Sequence, residues 1–128
     1  MATESKILIV DDEEPIRNVL ETILTREGYE VCSAESAERA LDILKRETFL
    51  VIFLDINLPN MNGIELCKKI RTKNPVAVIY AFTGYATIFD VFDCRQAGFD
   101  DFFSKPFSRE TVLKATQDAF DRVKRWNL

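Results

Sequence analysis

The chain has 128 residues, 17 Lys plus Arg against 21 Asp plus Glu, a formal net charge of −4 and no histidine. This length suits one domain, and 47% hydrophobic residues suffice for a core, which excludes a disordered or fibrous chain. The missing histidine excludes a Ser-His-Asp triad, a histidine metal ligand and a phosphohistidine within the chain.

The mild acidic balance argues against nucleic acid or membrane as a direct partner. No apolar run reaches the roughly 18 residues of a membrane span. The start, Met1 to Lys6, lacks the basic, apolar, small-residue order of a signal peptide. Cys32, Cys67 and Cys94 are odd in number and form no CxxC, which reads as reduced core thiols in the cytoplasm.

Strand and helix patterns alternate five times. Lys6 to Val10 is an apolar strand. Pro15 suits a helix start, Ile16, Val19, Leu20, Ile23 and Leu24 follow at helical spacing, and Gly28 ends that helix. Tyr29 to Ala34 reads as a weaker strand. Ser36 is an N-cap candidate for a helix with Ala37, Ala40, Leu41 and Leu44 on one face. Leu50 to Leu54 is apolar on both faces, as a central parallel strand is. Asn57 to Asn62 is a loop, and Ile64, Cys67 and Ile70 mark the next helix.

Pro75 to Phe82 holds a fourth strand, broken by Thr83-Gly84. A short helix spans about Ile88 to Gln96, and Gly98 follows it. Asp101 to Ser104 is the fifth strand, ended by Pro106. The last helix starts near Ser108 and carries Val112, Thr116, Ala119, Phe120 and Val123 on its stripe. Five such units in one chain predict a single three-layer α/β domain over residues 1–128, with helices on both faces of a parallel sheet.

Polar residues recur at one place in these units. Asp11-Asp12-Glu13 follows the first strand, Asp55 the third, Thr83 the fourth and Lys105 the fifth. In an open parallel sheet, ligands bind outside the carboxyl ends of the strands, and these residues converge there if the first and third strands are neighbours. Carboxylates crowded in one concavity repel, and a hard divalent cation such as Mg²⁺ relieves that repulsion through oxygen ligands. Asp11, Asp12 and Asp55 can supply carboxylate oxygens, and a backbone carbonyl near Asn57 one more. Asp55 can attack phosphorus as a nucleophile. Lys105 and Thr83 can meet phosphoryl oxygens with a charge and a hydroxyl. Gly84 keeps the adjacent space open.

At these residues the chain resembles the receiver domain of two-component response regulators. The resemblance is carried by Ile7 to Glu13, by Leu54 to Gly63, by Phe82-Thr83-Gly84-Tyr85-Ala86 and by Gly98 to Phe107. It implies a flavodoxin-like, doubly wound sheet in the order 2-1-3-4-5. It also implies that Asp55 is the phosphoacceptor, and that Asp11 and Asp12 hold Mg²⁺ with Asp55 and the Asn57 carbonyl. Thr83 matches the switch hydroxyl, Phe102 the aromatic switch residue and Lys105 the phosphate-contacting lysine, with a Lys105–Pro106 bond that is usually cis. Asn57, Gly84 and Tyr85 match positions beside the phosphoryl group. Phe102 and Phe99 depart mildly from the family pattern, the first by lacking a tyrosine hydroxyl, the second by its size.

The missing histidine then acquires a meaning. The phosphoryl group is expected from a phosphohistidine on a sensor histidine kinase or a histidine phosphotransfer protein. Such a chain is a phosphoacceptor that can catalyse its own phosphorylation and dephosphorylation, not an ordinary turnover enzyme. Phe89 and Phe92, with Phe102 and Trp126, are candidates for an interaction face toward a downstream protein or an effector domain outside this sequence. A monomer and a phosphorylation-dependent homodimer both remain open, as does a receiver that binds partners without being phosphorylated. An FMN carrier would need a Ser/Thr/Gly-rich phosphate loop where acids stand, and a Mg²⁺-dependent phosphohydrolase would typically carry a cap domain.

Overall fold

The computed structural model describes residues 5–84 and 88–126, with the backbone alone for 88–90. In chain order the elements are β1 (Lys6–Val10), α1 (Glu14–Arg26), β2 (Glu30–Ala34), α2 (Ala37–Arg46), β3 (Val51–Asp55), α3 (Gly63–Lys73), β4 (Val78–Thr83), α4 (Ile88–Ala97), β5 (Asp101–Ser104) and α5 (Arg109–Trp126). The strands form one parallel sheet in the order β2-β1-β3-β4-β5. This is the doubly wound order expected from the sequence, and it makes β1 and β3 neighbours.

Strand side chains alternate between the two faces. Leu8, Val10, Ile52, Leu54, Ile79 and Ala81 join the core formed with α2, α3 and α4. Ile7, Ile9, Val51, Phe53, Val78, Tyr80 and Phe82 join the core formed with α1 and α5. Because both faces are covered, β3 and β4 are buried along their whole length. This explains why their sequences are apolar without a break.

Capping follows local chemistry. The Ser36 hydroxyl accepts a hydrogen bond from the Arg39 N–H, and the Asn62 side chain accepts one from Glu65 N–H. Ser108 accepts from Thr111 N–H at the start of α5. Glu13 precedes α1 without capping it, and its carboxylate instead faces Lys105.

Strand boundaries move from their sequence-based positions, and β3 runs one residue later than expected, Val51–Asp55. β4 begins at Val78, because its first pairing is with Val51, where β3 begins, and Val76 lies outside the ladder, 56% exposed. Thr83 belongs to β4 instead of breaking it, paired with Ser104. β2 begins at Glu30, while the Tyr29 ring stacks on Phe120 at 5.3 Å.

Candidate functional site

The carboxyl ends of β1, β3, β4 and β5 bring Asp11, Asp55, Thr83 and Lys105 together. Asp11 and Thr83 are fully buried, and Asp55 is nearly so. Asp12 and Glu13 are exposed beside them. One carboxylate oxygen from each of Asp11, Asp12, Glu13 and Asp55 lies within 4.8 Å of the others.

Both buried aspartates are oriented in the same way. Asp11 Oδ1 accepts a hydrogen bond from the Glu13 N–H at 2.8 Å, and Asp55 Oδ1 accepts one from the Asn57 N–H at 2.9 Å. Each is a side chain turning back on its own loop two residues on, as Asp favours. That leaves each Oδ2 free to face Lys105. The Lys105 Nζ lies 2.8 Å from Asp11 Oδ2, 3.1 Å from Asp55 Oδ2 and 3.1 Å from Glu13 Oε1.

The contact with Asp11 is close but poorly directed. Nζ hydrogen-bonds Asp55 and Glu13, whereas Asp11 Oδ2 is a buried oxygen without a hydrogen-bond donor. Burial pushes the Asp11 carboxyl above its ordinary value, opposed by Lys105 and the Glu13 N–H and reinforced by the Asp55 charge. For Lys105, burial alone acts to release the proton. The bonds and charges of Asp11, Asp55 and Glu13 outweigh it and hold the ammonium above its usual range.

Backbone contacts fix these side chains. Lys105 N–H donates to the Thr83 carbonyl at 2.7 Å, tying the ends of β4 and β5 together, and the Lys105–Pro106 peptide bond is cis. Gly63 N–H donates to the Ile56 carbonyl at 3.1 Å. A Cβ on Gly63 would lie 2.2 Å from the Asp55 carbonyl oxygen, so only glycine lets α3 approach the backbone of Asp55 this closely. Around Gly84 a Cβ would meet nothing within 4 Å among the described residues.

Sequence reasoning alone did not assign four contacts. Glu13 pairs with Lys105, Arg17 donates to the Asp11 carbonyl at 2.7 Å, and Gly63 backs Asp55. The fourth is the Asn57 side chain, whose amide donates to the Thr83 hydroxyl oxygen. Glu13 stood in an acidic run and Gly63 in the quoted loop motif. The Arg17 and Asn57 contacts had no signal in the chain, because each depends on how separate elements pack.

The candidate interaction face is mixed. Phe92 is 61% exposed and Trp126 77% exposed. Phe102 is partly buried and packs against the core under α4. With Val91, Arg95, Asp101 and Arg122 it lines a groove between α4 and α5. Tyr85 and the Phe89 side chain lie outside the described residues.

The surroundings of the two buried thiols suit packing more than reactivity. Cys67 is pushed up to about 12 by burial, and Cys67 and Cys94 sit in the core between α3 and α4. No described helix is long and apolar enough to cross a membrane.

Comparison with known proteins agrees with this architecture. A Bacillus subtilis protein described as an uncharacterized transcriptional regulatory protein, YrkP, is 42% identical over 107 residues, covering 84% of this chain and 46% of that protein. The chain spans about half the length of the curated transcriptional regulators it matches first. A CheY-like receiver domain protein from Methanospirillum hungatei superimposes with a TM-score of 0.91 at 33% identity, covering 94% of this chain and 97% of that one. The beryllofluoride-activated NtrC4 receiver domain dimer superimposes with a TM-score of 0.88 at 32% identity, covering 93% and 98%. The profile of the response regulator receiver domain matches residues 7–117, and the chain belongs to that family of two-component signalling domains.

Proposed function

We propose that Asp55 is the phosphoacceptor of this receiver, and that its donor is a phosphohistidine on a sensor histidine kinase or histidine phosphotransfer protein. The observation that carries this reading is the posture of Asp55 at the end of the central strand. Oδ1 is held by the Asn57 N–H while Oδ2 faces the Lys105 ammonium. An Asp55 oxygen attacks the phosphorus, the O–P bond forms as the donor's N–P bond breaks, and the imidazole leaves with its electron pair. Lys105 meets the charge that develops on the phosphoryl oxygens. Thr83 is the hydroxyl recruited afterwards, and Phe102 the ring that follows it, which changes the face formed by α4, β5 and α5.

The residues present fit Mg²⁺. Asp11 Oδ2 is a buried anionic oxygen that lacks a donor, and four carboxylates converge around it. Asp11, Asp12 and Asp55, with the Asn57 carbonyl, are the groups that would hold it. When bound it supplies positive charge to carboxylates and phosphoryl oxygens that one lysine cannot neutralise alone.

The transcriptional regulators that the chain matches first are about twice as long. This supports reading the domain as the cytoplasmic switch of a regulator whose output lies in an attached effector domain or a downstream protein. Its state would be monomeric or a homodimer formed on phosphorylation. The test is intact-mass measurement after incubation with acetyl phosphate and Mg²⁺. One added phosphoryl group is expected on the wild-type chain and none on D55N; equal labelling of both removes Asp55 from the role.

A further inference from the structure

Asn57 and Thr83 stand 26 positions apart, one on the loop after β3 and the other at the end of β4. Asn57 is exposed and Thr83 fully buried, yet the Asn57 amide reaches in to donate to the Thr83 hydroxyl oxygen. The loop does not need this bond for its own anchoring, because the Asn57 backbone N–H already binds Asp55 Oδ1. The side chain of Asn57 therefore does something the backbone does not.

We infer that the Asn57 side chain is a latch that holds Thr83 in its resting rotamer, so that recruiting the Thr83 hydroxyl to a phosphoryl group on Asp55 requires this bond to break. The inference rests on the phosphoacceptor reading of Asp55. Threonine is β-branched and has few accessible χ1 wells, so its hydroxyl changes partners by jumping between wells. In the resting well the hydroxyl oxygen accepts from a neutral amide. In the other the O–H donates to an anionic oxygen, and hydrogen bonds to charged acceptors are roughly twice as strong as neutral ones. The latch thus opposes switching without preventing it, and Asn57 acts through Thr83 as a positioning residue.

The test uses beryllofluoride in the presence of Mg²⁺, its binding read by ¹⁹F NMR on the whole chain. Wild type, N57A, T83A, N57A/T83A and D55N are compared. N57A is expected to bind about fivefold more tightly, the factor for one neutral hydrogen bond of about 1 kcal/mol. That gain is expected to vanish in the T83A background. N57S, too short to reach Thr83, is expected to match N57A. No gain, weaker binding, or an equal gain in both backgrounds overturns the latch. A second readout needs no ligand: three-bond couplings to the Thr83 methyl should report one rotamer in wild type and averaging in N57A, and an unmoved rotamer also overturns it. If wild type and D55N bind beryllofluoride alike, the phosphoacceptor reading falls and takes the latch with it. A loss of Asn57 dependence with Asp55 dependence intact sinks the latch alone.

Discussion

Two cations anchor opposite ends of the sheet, and they are served very differently. At the amino ends of β4 and β5, Arg71 donates to the carbonyls of Gly98 at 2.9 Å and Ala77 at 2.5 Å, and pairs with Asp100 Oδ2 at 2.7 Å. Asp100 Oδ2 also takes the Ile79 N–H, and Oδ1 lies 3.4 Å from Arg122. Every contact there is matched, and α3, β4, β5 and α5 are pinned together. At the carboxyl ends, one ammonium faces Asp11, Glu13 and Asp55 with Asp12 alongside, and a buried oxygen of Asp11 goes without a donor. A closed network holds structure; an excess of buried negative charge stores the capacity to bind something positive.

That contrast can be broken by exchanging which end a mutation costs. The largest effect is expected from K105M, which should slow phosphorylation by acetyl phosphate about 10²–10³-fold, as loss of one preorganised charge-stabilising donor does. A rate within threefold of wild type would remove Lys105 from the chemistry. R71A should lower unfolding free energy by about 3 kcal/mol in urea titrations, by taking from Asp100 its closest cation and from the Gly98 and Ala77 carbonyls their donor, while Asp55 still labels. R71K should recover little, because an ammonium cannot copy the planar fork.

Glycines sharpen the same comparison on a smaller scale. Gly98 has φ +105°, and an added Cβ would lie 2.9 Å from Arg71 Cγ, so G98A is expected to cost about 1–2 kcal/mol. Gly84, at the other end, meets nothing among the described residues, and G84A should leave stability within about 0.5 kcal/mol.

An effect of opposite sign is expected from D11N. Because the Asp11 carboxyl titrates above its ordinary value, the native state binds more protons than the unfolded chain in that window, so metal-free stability falls as pH rises through it. D11N should therefore raise metal-free stability by about 1 kcal/mol at neutral pH, flatten that pH dependence and abolish stabilisation by Mg²⁺. Unchanged Mg²⁺ stabilisation in D11N would show that Asp11 Oδ2 is not a metal ligand.

The site was legible in the sequence where a residue's place in a repeating unit fixed its position in space. Asp11, Asp55, Thr83 and Lys105 each follow or end a strand, and parallel strands deliver such residues to one edge. Arg71, by contrast, ends an ordinary amphipathic helix, and only its distance from Asp100 reveals the clamp. The start of β4 was misplaced because Val76 is as apolar as Val78, and pairing with β3, not hydrophobicity, decides which of them is in the ladder.

By itself the sequence determined the alternation of strand and helix, the two-sided burial of the central strands and the set of acids at one edge. These follow from period and from backbone chirality, which act locally. The tertiary structure alone decided that Asp11 Oδ2 has no directed hydrogen bond where Asp55 Oδ2 has one, that Asn57 reaches Thr83, and that Gly63 must be glycine. Each of those is a matter of a few ångströms between elements far apart in the chain, and no local pattern encodes them.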